Sequence, residues 1–484
     1  MRRGHSSLQR IALCCGLLLA LSACASNSGG TAKKGQRQIL LSTEYDDARV
    51  GAEASQSVAA QMGVLDDPVL HAYVNEIGRK LLRGLPRRSF KYEFSVIDQW
   101  APNAFALPGG YIFISRGLLA LANSEDELAC VIGHEITHAD RRHSAAQQEL
   151  GRRGSFLKIS PAFRANVAAY GRDMEREADK GGQILAAAAG YDPMGMSTFL
   201  ANLGQVERLA VGHSRMRSFL DTHPGSQERA AANAVRAIEI RWQRDPALGD
   251  VHSAHLRRID GMALEQRPEA GLFVGDRFLH PDLDFQLRFP SGWPTSNSNQ
   301  TVGASSPKGD AVVFLTADTP EGDPELLATQ FLEAAQQNQK IEQLDSRPVK
   351  VGHLDAWRLE VKASESRGSM IANITFIPYR GATWRVTGMS RSSDAEKYRG
   401  RLLGTARSFR PLTQEERAGI RSSRMRIATA KAGEGFAALA KRTGNAWDPG
   451  TTAVYNGVFV DHRYRGGELV KLARIERYVP PDAP

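Results

Sequence analysis

The sequence His-Glu-Ile-Thr-His at residues 134–138 is the feature that most limits what this chain can fold into. On an α-helix, side chains four residues apart project from one face, so His134 and His138 can share one metal ion. Glu135 would then lie beside the metal, where a carboxylate can take a proton from a metal-bound water. The pentapeptide predicts a zinc hydrolase site, provided that the rest of the chain supplies a helix and a third ligand.

The residues around the pentapeptide predict the helix that it needs. Ser124, followed by acidic residues at 125–127, is an N-terminal capping signal. Apolar residues then recur at helical spacing: Leu128, Val131, Ile132 and Ile136. The alternative is a buried helix whose two histidines are satisfied by hydrogen bonds, and it leaves the position of Glu135 between them unexplained.

The third ligand must come from another part of the chain. Arg141 and Ser144 stand where a metzincin would have glycine and histidine, so that class of metalloprotease is excluded. His143 follows His138 by five residues, about 140° around a continuous helix. We therefore expect it to face away from the metal, as a surface residue or as a support behind the ligands.

An acidic stretch at residues 170–179 offers carboxylates for the third position. Glu175 and Asp179 lie one turn apart on a helix, so Glu175 can complete a His₂Glu site while Asp179 orients a ligand imidazole. Glu177 points elsewhere and is the weaker candidate. The glycines at 181–182 favour the close approach of two helices. Charge pattern alone would fit a solvated helix face equally well.

Three motifs in this order resemble the HtpX and CAAX-prenyl-protease family of gluzincin metallopeptidases, and most closely its soluble periplasmic lipoprotein branch of BepA, LoiP and YcaL. The resemblance covers roughly residues 40 to 240. It rests on Glu-x-x-x-Asp at 175–179, on the pentapeptide at 134–138, and on Asn-Ala-Phe-Ala-Leu-Pro-Gly-Gly-Tyr-Ile-Phe-Ile-Ser-Arg-Gly at 103–117. It implies one Zn²⁺ per chain, polypeptide substrates, a general base at Glu135 and zinc ligands at His134, His138 and Glu175.

The segment before the helix has a strand–turn–strand pattern. Short apolar runs at 105–107 and 111–114 flank Pro-Gly-Gly at 108–110. A strand above the catalytic helix could bind an extended polypeptide through its backbone. By resemblance, this substrate-binding edge comprises Asn103, Ala104, Phe105 and Ala106. An ordinary structural hairpin would give the same pattern.

A further histidine lies in Asp-Thr-His-Pro at residues 221–224, where Pro224 would fix a local turn. The resemblance implies that His223 lies over the zinc, either as a fourth ligand in a closed, self-inhibited state or as a catalytic helper at the oxyanion. Without the resemblance it would be an ordinary loop histidine.

The first residues predict an exported, lipid-anchored protein. An uncharged apolar run at 11–23 is too short to span a bilayer and fits a signal peptide, residues 1–23. It ends in Leu-Ser-Ala-Cys, which resembles a bacterial lipobox with lipidation at Cys24. Residues 24–40 would be a flexible tether on the periplasmic side of the outer membrane. The alternative is a secreted protein cut nearby. Cys130 would then be the one remaining cysteine, buried as a small hydrophobe.

The fold expected is α+β and multidomain. A mainly α-helical gluzincin protease domain with a small β-hairpin or sheet occupies 41–245, followed by a connector at 246–280. Strand-like apolar runs at 311–315, 356–361 and 370–377, with a helical pattern at 324–337, predict an α+β domain at 281–412. This domain is similar to PsbP/Mog-like sandwiches. Residues 413–484 resemble a small βααβ LysM module, a family that binds peptidoglycan; a generic packing domain would serve as well.

The formal charge of +9 is spread along the chain, and nothing resembles a nucleic-acid-binding module. We expect an envelope metalloendopeptidase that cleaves misfolded or misassembled envelope proteins. The alternative is a non-enzymatic envelope lipoprotein that acts as a chaperone or peptidoglycan-binding adaptor. Glu135 argues against this alternative, because an adaptor needs no general base.

Overall fold

The structure is a computed structural model, and it describes residues 44–86, 90–144, 161–209, 219, 223–298, 301–365 and 368–480. The predicted signal peptide, the lipidation site at Cys24 and the tether lie outside the described residues. Two compact units share the chain. The helical unit comprises Gln36–Glu265 and Ser422–Glu476, and the sheet unit comprises Gln266–Arg421 and Arg477–Pro484.

The first part of the helical unit consists of helices around a small sheet. The helices are α1 (Glu44–Met62), α2 (Pro68–Leu81), α3 (Arg116–Leu121), α4 (Glu125–Asp140), α5 (Pro161–Ala188), α6 (Gly195–Leu209), α7 (Ser226–Glu239) and α8 (Val251–Ile259). The strands are β1 (Glu93–Ile97), β2 (Ala104–Leu107) and β3 (Tyr111–Ser115). The sheet order is β1-β3-β2, with β1 parallel and β2 antiparallel to β3. The predicted strand–turn–strand segment is therefore confirmed, and β2 lies at an edge.

Helix α4 forms where the capping signal predicted it. The Ser124 hydroxyl accepts a hydrogen bond from the backbone N–H of Glu127 at 3.2 Å, and three acidic residues in the first turn complement the helix dipole. The helix is buried along almost its whole length, with Leu128, Val131, Ile132 and Ile136 in one large apolar core. Cys130 is fully buried in the same core, as predicted.

The C-terminal part of the helical unit has the order β15 (Arg421–Thr429), α12 (Phe436–Thr443), α13 (Pro449–Tyr455) and β16 (Leu469–Arg477). This is the βααβ order expected for 413–484. Residues 422–476 nevertheless belong to the same compact unit as the first part of the chain. Lys471 is fully buried there, and its ammonium donates hydrogen bonds of 2.8–3.2 Å to the carbonyls of Ala120, Leu121 and Ala122.

The sheet unit contains two antiparallel sheets. The longer strands are β9 (Ala311–Pro320), β10 (Ile341–Val351), β11 (Leu354–Glu365), β12 (Gly368–Tyr379) and β13 (Ala382–Arg391). With β7 (Thr295–Asn297) and β8 (Val302–Ser305), they form a sheet of order β10-β11-β12-β13-β9-β8-β7. The smaller sheet has the order β14-β6-β5-β4, from β4 (Leu272–Val274), β5 (Arg277–His280), β6 (Phe285–Arg288) and β14 (Arg410–Pro411).

Helices cover both faces of the seven-stranded sheet. Helix α9 (Pro324–Asn338) shares an apolar cluster with Leu359 and Ile374, and helix α10 (Ala395–Arg407) shares another with Ala356 and Ile377. Because alternate strand residues face opposite sides, the two helices lie on opposite faces. The unit, which also contains α11 (Gln414–Gly419), is α+β as expected. No helix in the described part of the chain is long and apolar enough to cross a bilayer.

Candidate metal centre

Four buried side chains from three parts of the helical unit converge on one point. They are His134 and His138 on α4, Glu175 on α5 and His223 just before α7, and their possible ligand atoms all lie within 4.8 Å of one another. The Nε2 atoms of His134 and His138 are 2.9 Å apart. The Glu175 carboxylate lies 3.6 Å from His134 Nε2 and 3.5 Å from His138 Nε2. The structure thus brings together all three residues that the sequence predicted as ligands.

The close approach of α4 and α5 depends on small residues where they cross. A Cβ atom on Gly182 would lie 2.7 Å from the backbone nitrogen of His134 and 2.8 Å from the carbonyl oxygen of Cys130. A Cβ on Gly133 would in turn meet the backbone of Gly182 at 2.9 Å. Only glycines allow this separation, so they set the distance between Glu175 and the two histidines.

Asp179 holds the ring of His134 from behind. Its Oδ1 lies 3.0 Å from His134 Nδ1, one turn along α5 from Glu175. Arg229 donates to both oxygens of Asp179 at 2.9 and 2.6 Å, and Asn233 donates to Oδ2 at 2.8 Å. Burial opposes ionisation of Asp179, but these donors together hold its pKa well below the usual range. A charged Asp179 fixes the His134 tautomer that leaves Nε2 free to bind a metal.

Arg229 and Asn233 were not predicted as part of the site. They lie on α7 at a spacing of four, with Arg236 three residues further, and all of them are on the face that carries the buried Ala230 and Ala237. A polar stripe on the apolar face of a short helix is the sequence signal that could have indicated a buried partner.

His143 supports the other ligand from behind, which is one of the two positions expected for it, but it does so through a turn and not on a continuous helix. Helix α4 ends at Asp140, and Arg142 has a left-handed backbone with φ 55°, so the chain turns back. His143 Nδ1 thereby lies 2.8 Å from Nδ1 of His138, and Glu177 lies 3.5 Å from His143 Nε2. Burial lowers the pKa of His138 well below its ordinary value, which favours the neutral imidazole that binds metal.

Glu135 lies inside this cluster with both carboxylate oxygens buried. Neither oxygen accepts a hydrogen bond from any described residue, and His223 Nε2 lies 3.5 Å from Oε1. Burial raises the pKa of Glu135, although the neighbouring His223 and His134 oppose that shift. A buried, unpartnered carboxylate costs stability, so it is expected at a position where function needs it.

His223 joins the cluster through the segment that precedes α7. Its ring stacks on Phe219 with centroids 4.2 Å apart, and the backbone N–H of Phe219 donates to the carbonyl of Pro102 at 2.8 Å. His223 Nδ1 lies 2.9 Å from a Glu175 oxygen and 3.2 Å from His134 Nε2. The structure therefore places His223 in the same cluster as the three predicted ligands.

The predicted substrate edge lies beside α4. In β2, Ala104 is buried, while Phe105 and Ala106 are half-buried, and Phe105 stacks on Phe113 of β3. Asn103 precedes the strand; its backbone N–H donates to the Ser115 hydroxyl at 2.8 Å. The side-chain oxygen of Asn103 is buried and accepts no hydrogen bond from the described residues.

The donor set fits zinc. Imidazole nitrogens with a carboxylate oxygen at one point are the ligands of catalytic zinc sites. The ligands are buried, and their supporting residues Asp179 and His143 leave the Nε2 atoms directed at the shared point. One Zn²⁺ would be held by His134, His138 and Glu175.

Comparisons with known proteins agree with this geometry. Residues 68–237 match Peptidase family M48. The chain is 34% identical over 220 residues to a putative beta-barrel assembly-enhancing protease of Vibrio cholerae, and 30% identical over 220 residues to the beta-barrel assembly-enhancing protease of Escherichia coli K12. Each match covers 40% of this chain and 45% of the relative, so the chain spans less than half the length of these relatives.

Two other matches concern a eukaryotic enzyme and a solved structure. The chain is 29% identical over 213 residues to the mitochondrial metalloendopeptidase OMA1 of Schizosaccharomyces pombe, covering 40% of this chain and 60% of that protein. The solution structure of cyanobacterial PsbP from Synechocystis matches 29% of this chain and 95% of its own, at 12% identity and a TM-score of 0.25. That score is too low to support an argument about the sheet unit.

The matched residues 68–237 contain Glu135 and the three predicted zinc ligands on α4 and α5, together with His223. This part of the chain, which carries the metal centre, is similar to Peptidase family M48.

Proposed function

We propose that this chain is a zinc-dependent endopeptidase that cleaves polypeptides of the bacterial envelope, in particular misfolded or misassembled ones. The observation that carries the proposal is the convergence of His134, His138 and Glu175 beside Glu135. The names of the Vibrio and Escherichia relatives, proteases that enhance the assembly of beta-barrels, support an envelope substrate.

The chemistry follows from the residues of the cluster. Zinc, when bound, supplies a Lewis acid that polarises the scissile carbonyl and activates a water molecule. Glu135 accepts the proton of that water as general base, since its carboxylate is engaged by no donor of the described residues. The same carboxyl group then returns the proton to the leaving amine as the peptide bond breaks. Asp179 and His143 keep His134 and His138 in their ligating orientations.

A substrate would bind as an added strand on β2. The strand pairs with β3 alone among the described strands, so its other edge can form backbone hydrogen bonds with an extended peptide. Asn103, Ala104, Phe105 and Ala106 would line the peptide, and the unpartnered oxygen of Asn103 would accept a hydrogen bond from it. Backbone pairing recognises extended chains with little regard to their side chains, which suits a protease for misfolded proteins.

The proposal includes a closed state in which His223 is a fourth ligand. Its imidazole lies among the other ligand atoms, and its ring is held by stacking on Phe219. A ligand in the fourth position would occupy the place of the attacking water. The backbone N–H of Phe219 also donates to the carbonyl of Pro102, next to the proposed substrate strand. A peptide arriving at β2 would therefore compete with Phe219, on which the ring of His223 stacks.

The variant His223→Ala tests this closed state. We expect weaker zinc binding, because one ligand is lost, and faster cleavage of casein, because the fourth position is open to water. Zinc titration against a chelator and the initial rate of casein cleavage give both readouts. Unchanged zinc affinity together with an unchanged rate would rule out a ligand role, and a lower rate with unchanged affinity would indicate a catalytic helper.

We also propose that the chain acts on the periplasmic side of the envelope, anchored to the outer membrane by a lipid on Cys24. The lipobox-like sequence before Cys24 supports this. We propose in addition that the C-terminal segment binds peptidoglycan, which its βααβ order supports. Labelling of the full chain with a fatty-acid analogue, lost in Cys24→Ala, would establish the anchor. Failure of the full chain to sediment with purified sacculi would remove the peptidoglycan proposal.

The experiment that tests the function is a measurement of bound metal together with protease activity. We expect one zinc per chain and casein cleavage that a chelator abolishes and added zinc restores. A chaperone or adaptor on a protease fold would show no chelator-sensitive cleavage, and that result would favour the alternative.

A further inference from the structure

We propose that the sheet unit contains a binding site for a phosphate-bearing anion, in a pocket between the edge of the seven-stranded sheet and the C-terminal end of α10. The pocket has a volume of about 310 Å³. Its walls come from β10, β11, β12 and α10, and its polar lining consists of Arg347, Lys350, Arg358, Thr375 and Arg407. This site is independent of the proposed peptidase activity, which resides in the helical unit.

The sheet places two of these arginines directly against each other. Arg347 of β10 pairs with Arg358 of β11, and Arg358 pairs with Thr375 of β12, so the three side chains form one row across the sheet. The row is on the face covered by α10, because Ala356 and Ile377, two residues away, belong to the cluster that packs on that helix. Like charges directly opposite each other destabilise a sheet. An anion between them would remove that repulsion.

Arg358 is buried without adequate neutralisation. Its side chain is 7% exposed, and its Nε finds no hydrogen-bond partner among the described residues. The nearest carboxylate is Asp345, 4.0 Å from Nη2, and that oxygen lies closer to Arg347, at 3.0 Å. Burial, followed by the charge of Arg347, lowers the pKa of the Arg358 guanidinium. A buried cation in this condition is costly unless a ligand supplies the missing charge and acceptors.

The other charged groups around the pocket leave it positive. Glu360 is engaged by Arg399 in a two-pronged contact of 2.5 and 2.9 Å, and Asp355 is 2.7 Å from Lys350. Arg407, at the end of α10, is exposed and forms no ion pair within the described residues. The helix dipole explains the position of Arg407 without a ligand, since a cation at a helix C-terminus is favourable. It does not account for the buried Arg358.

The donors select a phosphate group. Guanidinium groups bind phosphate and carboxylate oxygens through paired N–H donors. Arg347, Arg358 and Arg407 carry more positive charge than one carboxylate would neutralise, and they approach from β10, β11 and α10, which suits a tetrahedral ligand. The volume accommodates a phosphate with a small substituent, so free phosphate and the glycerol phosphate of a lipid headgroup share the required chemistry.

Isothermal titration of the full chain tests the site. The probes are inorganic phosphate, glycerol phosphate and acetate, with wild type compared with Arg407→Gln and Arg358→Gln. We expect a phosphate probe to bind wild type and each substitution to weaken binding roughly tenfold or more, because a charge-assisted contact is lost. The matched control is Arg401→Gln, an exposed arginine on the same helix, which should change the affinity less than about twofold.

The comparison of probes distinguishes the sources of the ligand. Equal binding of both phosphate probes would indicate free phosphate, and binding of glycerol phosphate alone would indicate a lipid headgroup. Absence of binding by both phosphate probes, tighter binding of acetate, or phosphate binding unchanged in Arg407→Gln would overturn the proposal. The last outcome would also reveal phosphate bound elsewhere, for example at zinc. Since Arg407 is exposed, its variant remains informative if Arg358→Gln does not fold.

Discussion

The chemistry of the metal centre depends on residues behind the ligands as much as on the ligands. Asp179 lies 3.0 Å from Nδ1 of His134 and is itself fixed by Arg229 and Asn233. This chain of contacts extends from α4 through α5 to α7. The orientation of the His134 imidazole therefore depends on residues of three helices, and a substitution at Asp179 should change the affinity for the metal.

Asp179→Asn should weaken zinc binding by roughly tenfold to a hundredfold. The amide keeps the size of the carboxylate but loses the charge that favours the ligating tautomer of His134. Competition with a chromophoric chelator measures the change. Asp173→Asn, the same substitution at an exposed position of the same helix, should leave the affinity unchanged. Equal affinities of both variants would show that Asp179 does not orient a ligand.

At the scale of residues, the sequence predicts a ligand when its spacing lies within one helix. His134 and His138 could be predicted because helical periodicity puts them on one face. Glu175 lies on another helix and was indicated by its Glu-x-x-x-Asp motif together with the resemblance. The contact of His143 with His138 could not be predicted, since the expectation assumed a helix that continues past Asp140, whereas the chain turns at Arg142. Arg229 and Asn233 reach the site through contacts between helices distant in sequence, which periodicity alone does not reveal.

At the scale of elements, the separation of α4 and α5 decides whether Glu175 reaches the histidines. The Cβ of any residue at 182 would contact the backbone of α4 at 2.7 and 2.8 Å. Backbone atoms cannot move aside as a flexible side chain can. The helices would have to separate, and the third ligand would move with α5.

Gly182→Ala should therefore destabilise the helical unit by about 1–3 kcal/mol and weaken zinc binding. Gly171→Ala on the same helix is the control, because a Cβ there meets nothing within 4 Å. It should be neutral or stabilise by up to about 1 kcal/mol through helix propensity. Thermal unfolding of the two variants measures the difference. Equal melting temperatures would mean that the helices do not need this close contact.

Elements with a clear periodicity were predicted, and those without it were not. The predicted helix at 324–337 corresponds to α9, and the predicted strands at 311–315, 356–361 and 370–377 correspond to parts of β9, β11 and β12. Strand β10 was missed because most of its residues are exposed, so its sequence lacks the alternation of a half-buried strand. Helix α8 was missed within the predicted connector.

At the scale of the whole chain, the described units are interleaved in sequence. Residues 422–476 group with the first part of the chain, whereas the sequence suggested a separate module at 413–484. The helical unit also extends to Glu265, beyond the expected boundary at 245. Contacts such as those of Lys471 with the carbonyls that end α3 connect positions about 350 residues apart. No local pattern predicts such contacts.

Lys471→Met should destabilise the helical unit by about 3–5 kcal/mol, because three buried carbonyls lose their hydrogen-bond donor and the buried Glu127 loses its neighbouring amino group. Burial lowers the pKa of Lys471 to about 7, although Glu127 opposes the shift. Between this pKa and the ordinary pKa of lysine, the unfolded chain binds more protons than the folded chain. The contribution of Lys471 to the free energy of unfolding therefore falls as the pH falls from 10 to 7.

The difference in melting temperature between wild type and Lys471→Met should thus be larger at pH 9.5 than at pH 7. The exposed Lys441→Met is the matched control and should show a small difference at both values. If the difference in melting temperature became smaller as the pH rises, the pKa of Lys471 would not be lowered in the folded chain.

A comparison of Glu135→Gln with wild type, for zinc content and for casein cleavage, tests whether Glu135 is the general base of a zinc peptidase. Glu228→Gln, the same change at an exposed position of α7, is the control and should behave as wild type. We predict that Glu135→Gln retains one zinc per chain and loses cleavage by roughly a hundredfold or more. Cleavage by the zinc-loaded variant at the wild-type rate would show that Glu135 is not the general base.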